Sequence, residues 1–189
     1  MKELDAILPC RVTGTRLYGK PLQLIDIKEQ VTILESLVGY LNSTGLIRNI
    51  CLAVSEEEEN HGFIRLAKKY DWKYVIGHPL DVLGRVLKGV EHLKTKDMLL
   101  CSTENPFLYV ENLEKMVYDH LDGDFDYSIV SDLPEGAGIA LIKTQALKIS
   151  HDKGVDRHRS ELVTSYIFDH KEDFKINVVE PEPSLRRPD

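Results

Sequence analysis

The chain has 189 residues, 42% of them hydrophobic and 29% charged, which is ordinary for a globular protein and enough for one α/β domain with a sizeable core. A formal net charge of −7 excludes general nucleic-acid binding, which needs a basic surface, while leaving room for a small cationic pocket. Lys2, Glu3 and Asp5 precede the first apolar run, so no signal-peptide pattern opens the chain, and no segment reaches membrane-spanning length. The expectation is a cytoplasmic protein with no nucleic-acid or membrane partner. Cys10, Cys51 and Cys101 are odd in number and too far apart for a zinc ribbon or redox motif, so buried reduced thiols are expected.

Taken in order, Asp5–Leu8 reads as a short buried strand. Residues 27–41 carry Ile27, Val31, Leu34, Leu37, Val38 and Leu41 at helical spacing, and Asn42-Ser43-Thr44-Gly45 supplies turn chemistry at the end. Ile47–Val54 is nearly continuously apolar, as a strand covered on both faces is, and the acidic run Glu56–Glu59 after it reads as a solvated helix start. Ile64, Leu66 and Ala67 mark a helix ending near Tyr70, with Trp72 as packing. Tyr74–Ile76 is a strand closed by Gly77, Asp81 to Leu93 a strong amphipathic helix, and Met98–Cys101 another strand. Val110–Leu121 is helical, Tyr127–Val130 and Ile139–Ile142 are strands, Thr144–Ser150 and Ser160–Asp169 helical, and Phe174–Val179 a last strand. This alternation predicts a mostly parallel sheet with helices on both faces. Ligands on such sheets bind at the carboxyl ends of strands, which gathers residues 9–20, 55–59, 77–85 and 102–106 around one crevice.

The first of these segments, Leu8-Pro9-Cys10-Arg11-Val12-Thr13-Gly14-Thr15-Arg16-Leu17-Tyr18-Gly19-Lys20, sets three cations among two hydroxyls and two glycines. Such a loop can turn its backbone N–H groups inward on a polyphosphate and add charge-assisted hydrogen bonds from Arg11, Arg16 and Lys20. The same composition also suits a basic surface turn. Neither the Walker nor the Rossmann glycine spacing is present. Asp81 suits the first turn of a helix, with Arg85 one turn later on the same face, either as a surface pair or with Arg85 in the crevice. His151 and His158, with Asp152, Asp156 and Glu161, read as a charged turn rather than a metal site.

The loop resembles the N-terminal signature of the cytidylyltransferases that activate sugars and sugar acids, the CMP-Kdo synthetases and more closely the spore-coat-polysaccharide type, roughly A-R-M-G-S-T-R-L-P-G-K. Arg11, Thr15, Arg16, Leu17, Gly19 and Lys20 are in register, with Cys10, Gly14 and Tyr18 replacing Ala, Ser and Pro. Residues 77–85 resemble R-G-S-E-x-D-V-L-x-R, keeping Gly77, Asp81, Val82, Leu83 and Arg85. Residues 102–106 resemble T-G-D-x-P, with Glu104 where relatives place a magnesium-holding Asp and Leu100 where they carry an Arg two residues ahead of the motif. Residues 134–140 resemble P-D-G-x-D-V-E, with Gly138 and Ala140 at its last two acidic positions, and residues 161–167 resemble E-H-V-T-P-Y-I, with Leu162 for the His. Residues 185–189 match L-R-R-P-D, after which relatives continue into a stretch whose Asp supplies a second metal ligand.

The resemblance implies one three-layer α/β/α nucleotidyltransferase-like domain over residues 1–189 (GT-A-like, Rossmann-like), lacking the C-terminal end of the family domain. It implies transfer of CMP from CTP to a sugar or sugar-acid acceptor for surface polysaccharide, with Mg²⁺ as cofactor, and a homodimer of the kind relatives often form. Arg11 and Lys20 would be catalytic; Leu8, Pro9, Cys10, Arg11, Thr13, Gly14, Thr15, Arg16, Lys20, Ser55 and Arg85 would bind nucleotide, the backbone of 8–10 and Ser55 lining the base pocket; Glu104 would hold the metal. Two other readings stand beside it. One is a non-catalytic nucleotide-binding or interaction module that is part of a larger protein. The other is a glycosyltransferase of related architecture, for which Asp122-Gly123-Asp124 has the letters of a D-x-D motif but falls at a predicted helix end.

Overall fold

The computed structural model describes residues 4–13, 17–134 and 136–187. β1 (Leu4–Cys10) opens the fold, a 3₁₀ turn (Lys20–Leu22) follows, and β2 (Leu24–Asp26) and β3 (Val31–Thr32) form a small antiparallel hairpin before α1 (Ile33–Ser43). β4 (Ile47–Ser55), α2 (His61–Lys69), β5 (Lys73–Gly77), α3 (Val82–Leu93) and β6 (Asp97–Cys101) continue the alternation. α4 (Leu113–Asp122), β7 (Tyr127–Val130), β8 (Ile139–Lys143), α5 (Thr144–Lys153), α6 (Ser165–Asp169) and β9 (Ile176–Val179) complete it.

The large sheet has the order β5-β4-β1-β6-β8-β7-β9. β8 alone runs against its neighbours, antiparallel to both β6 and β7, while the other ladders are parallel. The α/β expectation is met, with a mixed, mostly parallel sheet. Side chains alternate between faces as strand geometry demands. Leu4, Ala6, Leu8 and Cys10 of β1 face a core shared with α1, α2 and α4, whereas Ile7 faces a second core shared with α3, α5 and α6. In β4, Ile50, Leu52 and Val54 join the first core and Cys51 and Ala53 the second.

The helix expected from Ile27 begins instead at Ile33. Asp26 Oδ1 accepts the N–H groups of Lys28 and Glu29 at 2.9 and 3.0 Å, and Gln30 takes φ 55°, which turns the chain into the hairpin. Thr32 then caps α1: its hydroxyl accepts Glu35 N–H at 3.2 Å while Glu35 accepts Thr32 N–H at 2.8 Å, a reciprocal capping box. The helices expected from Val110 and Ser160 likewise start late, at Leu113 and Ser165. The three thiols are free and buried. Among the described residues no helix is long and apolar enough to cross a membrane.

One buried charge was not signalled by the strand pattern. Asp5 has no exposed surface, yet Arg48 grips it in a bidentate pair (3.1 and 2.5 Å) and Asn49 donates at 2.8 Å. Burial works to raise the Asp5 pKa, and these hydrogen bonds outweigh it, so the carboxyl stays below its ordinary value.

Candidate active site

The carboxyl ends of β1, β4, β5 and β6 fall on one edge of the sheet, with Cys10 beside Val54 and Ser55 beside Gly77. Because β8 is reversed, its first residue, Ile139, pairs with Cys101 and enters the sheet at the same edge. A crevice of about 480 Å³ opens there, with Pro9, Arg11 and Arg85 among its lining and Glu104 and Glu161 across it. Its size suits a small molecule.

Arg85 is its most unusual member. The residue is 1% exposed, on the first turn and a half of α3, whose N-cap is Asp81 with Oδ1 accepting Gly84 N–H at 2.8 Å. Its Nη1 donates to the carbonyls of His78 and Pro79 at 2.8 and 2.9 Å, and its Nε is buried without a partner. Among the described residues no carboxylate pairs with it. Burial holds its pKa below the usual arginine value, and the nearby Arg11 charge works in the same direction. A buried cation without a counter-ion is costly, so an anion in the crevice would be strongly favoured. Asp81 thus caps the helix and Arg85 lines the crevice.

Arg11 extends over the opening to Glu161, Nη2 to Oε2 at 2.6 Å. The loop after Arg11 is closed by Gly19, which takes φ 61° and donates its N–H to Val12 O at 2.8 Å, and Val12 N–H is held by Asn60 Oδ1 at 2.8 Å. Thr13 is exposed and Lys20 half-buried at the first position of the 3₁₀ turn. Gly14, Thr15 and Arg16 lie outside the described residues, as does Glu135 of the 134–140 segment. Leu8 and Cys10 are buried in the core, while Pro9 lines the crevice. Ser55 is buried at the end of β4, its hydroxyl donating to Glu57 Oε2 and so holding that carboxyl below its ordinary pKa.

Glu104 stands at the crevice after β6, and among the described residues no three His, Cys, Asp or Glu side chains gather into a metal cluster. A single carboxylate fits Mg²⁺ arriving with a polyphosphate, since that ion keeps waters and substrate oxygens in its shell; it does not fit a pre-formed all-protein cage. His151 and His158 are structural. His151 Nε2 contacts Asp81 Oδ2 at 3.3 Å, and His158, buried rather than in a solvated turn, meets Asp169 Oδ2 at 2.9 Å through Nε2. Asp124 follows the Gly123 C-cap of α4 and pairs with Lys143 at 2.9 Å, at the opposite end of β8 from Ile139, so the D-x-D letters do not reach the crevice.

Two contacts had no local signal in the sequence. Thr103 is buried, and its hydroxyl donates to Pro9 O at 3.0 Å, tying the end of β6 to the end of β1. Glu161 reaches Arg11 across 150 positions of sequence.

A family profile described as Cytidylyltransferase matches residues 6–187. The chain belongs to the cytidylyltransferase family. It is 25% identical over 193 residues to the spore coat polysaccharide biosynthesis protein SpsF of Bacillus subtilis (strain 168), covering 100% of this chain and 79% of that protein. The fold is similar to that of a cytidylyltransferase from Leptospira borgpetersenii, with a TM-score of 0.82 at 18% identity over 96% of this chain and 77% of that one. It is also similar to CMP:2-keto-3-deoxy-manno-octonic acid synthetase complexed with CTP, with a TM-score of 0.69 at 9% identity over 95% of this chain and 90% of that one.

Proposed function

We propose that the protein transfers CMP from CTP to a sugar or sugar-acid acceptor in the making of a surface polysaccharide or glycan. The observation that carries this reading is Arg85, a buried guanidinium with an unpartnered Nε at a crevice shared with Arg11. In the reaction an acceptor hydroxyl or phosphate oxygen attacks the α-phosphorus of CTP, the bond from that phosphorus to the bridging oxygen breaks, pyrophosphate leaves with the electron pair, and the proton of an attacking hydroxyl passes to water. No covalent enzyme intermediate is needed; positioned charge suffices.

Arg11, Arg16 and Lys20 hold the triphosphate, with Arg11 and Lys20 against the charge that builds at the reacting phosphate. Thr13, Thr15 and the Gly14 backbone donate to phosphate oxygens, and Arg85 offsets charge from the floor of the crevice. Ser55 and the backbone of Leu8, Pro9 and Cys10 border the base. Glu104 is the residue that would hold Mg²⁺, and when bound the ion supplies charge neutralisation along the triphosphate.

A second reading, a nucleotide-binding module without turnover, is favoured by the loss of polar groups at Leu100, Gly138, Ala140 and Leu162, all of which line the crevice. Pyrophosphate release with CTP, Mg²⁺ and a panel of sugars, run beside calorimetric CTP titration, separates the two. Turnover supports the enzyme, and binding without turnover supports the module. Arg16→Ala should weaken CTP binding by about 1.5–3 kcal/mol, the value of a lost charge-assisted hydrogen bond.

A further inference from the structure

Four of the positions at which the chain departs from the resembled motifs, Leu100, Gly138, Ala140 and Leu162, each replace a polar or charged residue, and though spread along the sequence all four line the same cavity. Together with Ile129, Ile139 and Val163 they turn the side facing β8 and α6 into a largely apolar wall. Leu162 is 68% exposed, an apolar side chain left at the rim with little of its own chain to cover it. A Cβ at Gly138 would meet nothing within 4 Å, so the missing side chain leaves open space in front of the wall. The Thr103 hydroxyl in the cavity is already engaged with Pro9 O. Among the described residues the charged groups of the cavity are Arg11, Arg85, Glu104 and Glu161. Both cations sit on the side of β1 and α3, and Arg11 is taken by Glu161.

We infer that the acceptor is a terminally deoxygenated sugar, one bearing a methyl group and no carboxylate, whose alkyl edge packs on Leu100, Ile129, Ala140 and Leu162. This rests on the proposed transfer reaction and narrows its acceptor. A carboxylate turned toward this wall would be desolvated with no cation beside it among the described residues and with Glu104 and Glu161 as neighbours, and extra hydroxyls would lose their water partners. A methyl group gains contact at the same place, and one such group in an apolar pocket is worth roughly a 10- to 200-fold preference.

The test uses two matched series that differ only at the terminal carbon. D-fucose 1-phosphate, D-galactose 1-phosphate and D-galacturonic acid 1-phosphate form one; D-quinovose, D-glucose and D-glucuronic acid 1-phosphates form the other. Binding of each is measured by calorimetry with and without CTP, CTP alone is titrated separately, and pyrophosphate release gives kcat/KM. The expected order is methyl over hydroxymethyl over carboxylate in at least one series, with the methyl compound ahead by about tenfold or more. Leu162→Gln, at an exposed position that the fold tolerates, should bring that ratio several-fold closer to one. A hydroxymethyl or carboxylate compound that equals or beats the methyl compound in both series would overturn the inference, as would failure of all six to bind while CTP binds. Methyl preference in a chain that ignores CTP would sink the donor reading and leave the apolar wall standing.

Discussion

Arg11 Nη2 lies 2.6 Å from Glu161 Oε2, an ion pair that joins the loop after β1 to the segment before α6 across the mouth of the crevice. The side chains are 34% and 71% exposed, so water screens the pair and its worth is small, about 0.2–1 kcal/mol. Any anion that recruits Arg11 must first displace Glu161. Glu161→Gln should therefore tighten CTP binding by at most about fivefold in a calorimetric titration. A loss of CTP affinity would instead make Glu161 a part of the binding apparatus.

Arg85 poses the opposite case, because its cation is buried and has no carboxylate partner among the described residues. Arg85→Met keeps much of the volume, removes the desolvated charge and frees the His78 and Pro79 carbonyls. The gain and the loss oppose one another, so chemical denaturation should report a stability change under about 2 kcal/mol. Triphosphate affinity should fall about 10- to 100-fold in the same preparation, since a charge-assisted contact is lost. Equal affinity in wild type and variant would take Arg85 out of the site.

Glu35 sets a limit on acid stability. Burial works to raise its pKa, but hydrogen bonds from Tyr70, Thr32 and Lys69 outweigh that and bring it down to about 2 from an ordinary 4.5. The folded carboxyl therefore holds its proton less tightly than the unfolded one. Its stabilising contribution is complete above about pH 4.5 and disappears as pH drops toward 2. Glu35→Gln should remove on the order of 2 kcal/mol at neutral pH and flatten the acid limb of the stability curve between those values. Denaturant melts at pH 3 and pH 7 would show wild type and variant converging at the lower pH.

Gly89 lets α3 lie close on the sheet. A Cβ there would come within 2.9 Å of Ile7 Cγ2 and 3.5 Å of Cys51 Sγ, both on strands at the centre of the fold. Ile7 is β-branched and fully buried, so its methyl has little freedom to move aside. Gly89→Ala gains about 1 kcal/mol of helix propensity but overpacks this contact, which costs about 1–3 kcal/mol. Net destabilisation of about 1 kcal/mol is expected in thermal or urea melts, against the gain that an exposed helical glycine would give.

Burial pushes the Cys51 and Cys101 thiols up to about 12, and it raises that of Cys10 as well. A thiol-reactive dye at pH 8 should label none of the three in the folded protein and all three in denaturant, because the thiolate is the reactive form. Rapid labelling of the folded chain would show that the core opens locally.

Much of the architecture was legible from residue spacing. The continuous apolar run of β4, the amphipathic repeat of α3 and the strand-helix alternation are local patterns, and the sheet they imply is the one formed. Where the pattern misled, a stronger local force was present in plain letters. Ile27 and Val31 fall at helical spacing, but Thr32 and Glu35 form a capping box that fixes the start of α1 after them. The edge on which the crevice opens follows from the gathering of strand carboxyl ends, although residues 55–59 do not line it and of the first and third segments only Pro9, Arg11, Val82 and Arg85 do among the described residues. The contacts that shape it were not legible. Glu161 on Arg11, Thr103 on Pro9 and Asn60 on Val12 depend on long loops folding over one another, and nothing in the neighbouring residues marks the partner. Asp5 is a similar case, a charge in a strand made tolerable by Arg48 and Asn49 on the neighbouring strand, 43 and 44 residues further along the chain.

The reversed course of β8 separates the two sides of the crevice by chain position. The half rich in cations comes from the stretch before residue 105, the greasy half chiefly from residues 129–164. Under the proposed reaction, selection can rewrite the later stretch to admit a new compound while the earlier one, proposed to hold phosphate, stays as it is, and a chimera exchanging only that later stretch is the natural unit for an engineer to move.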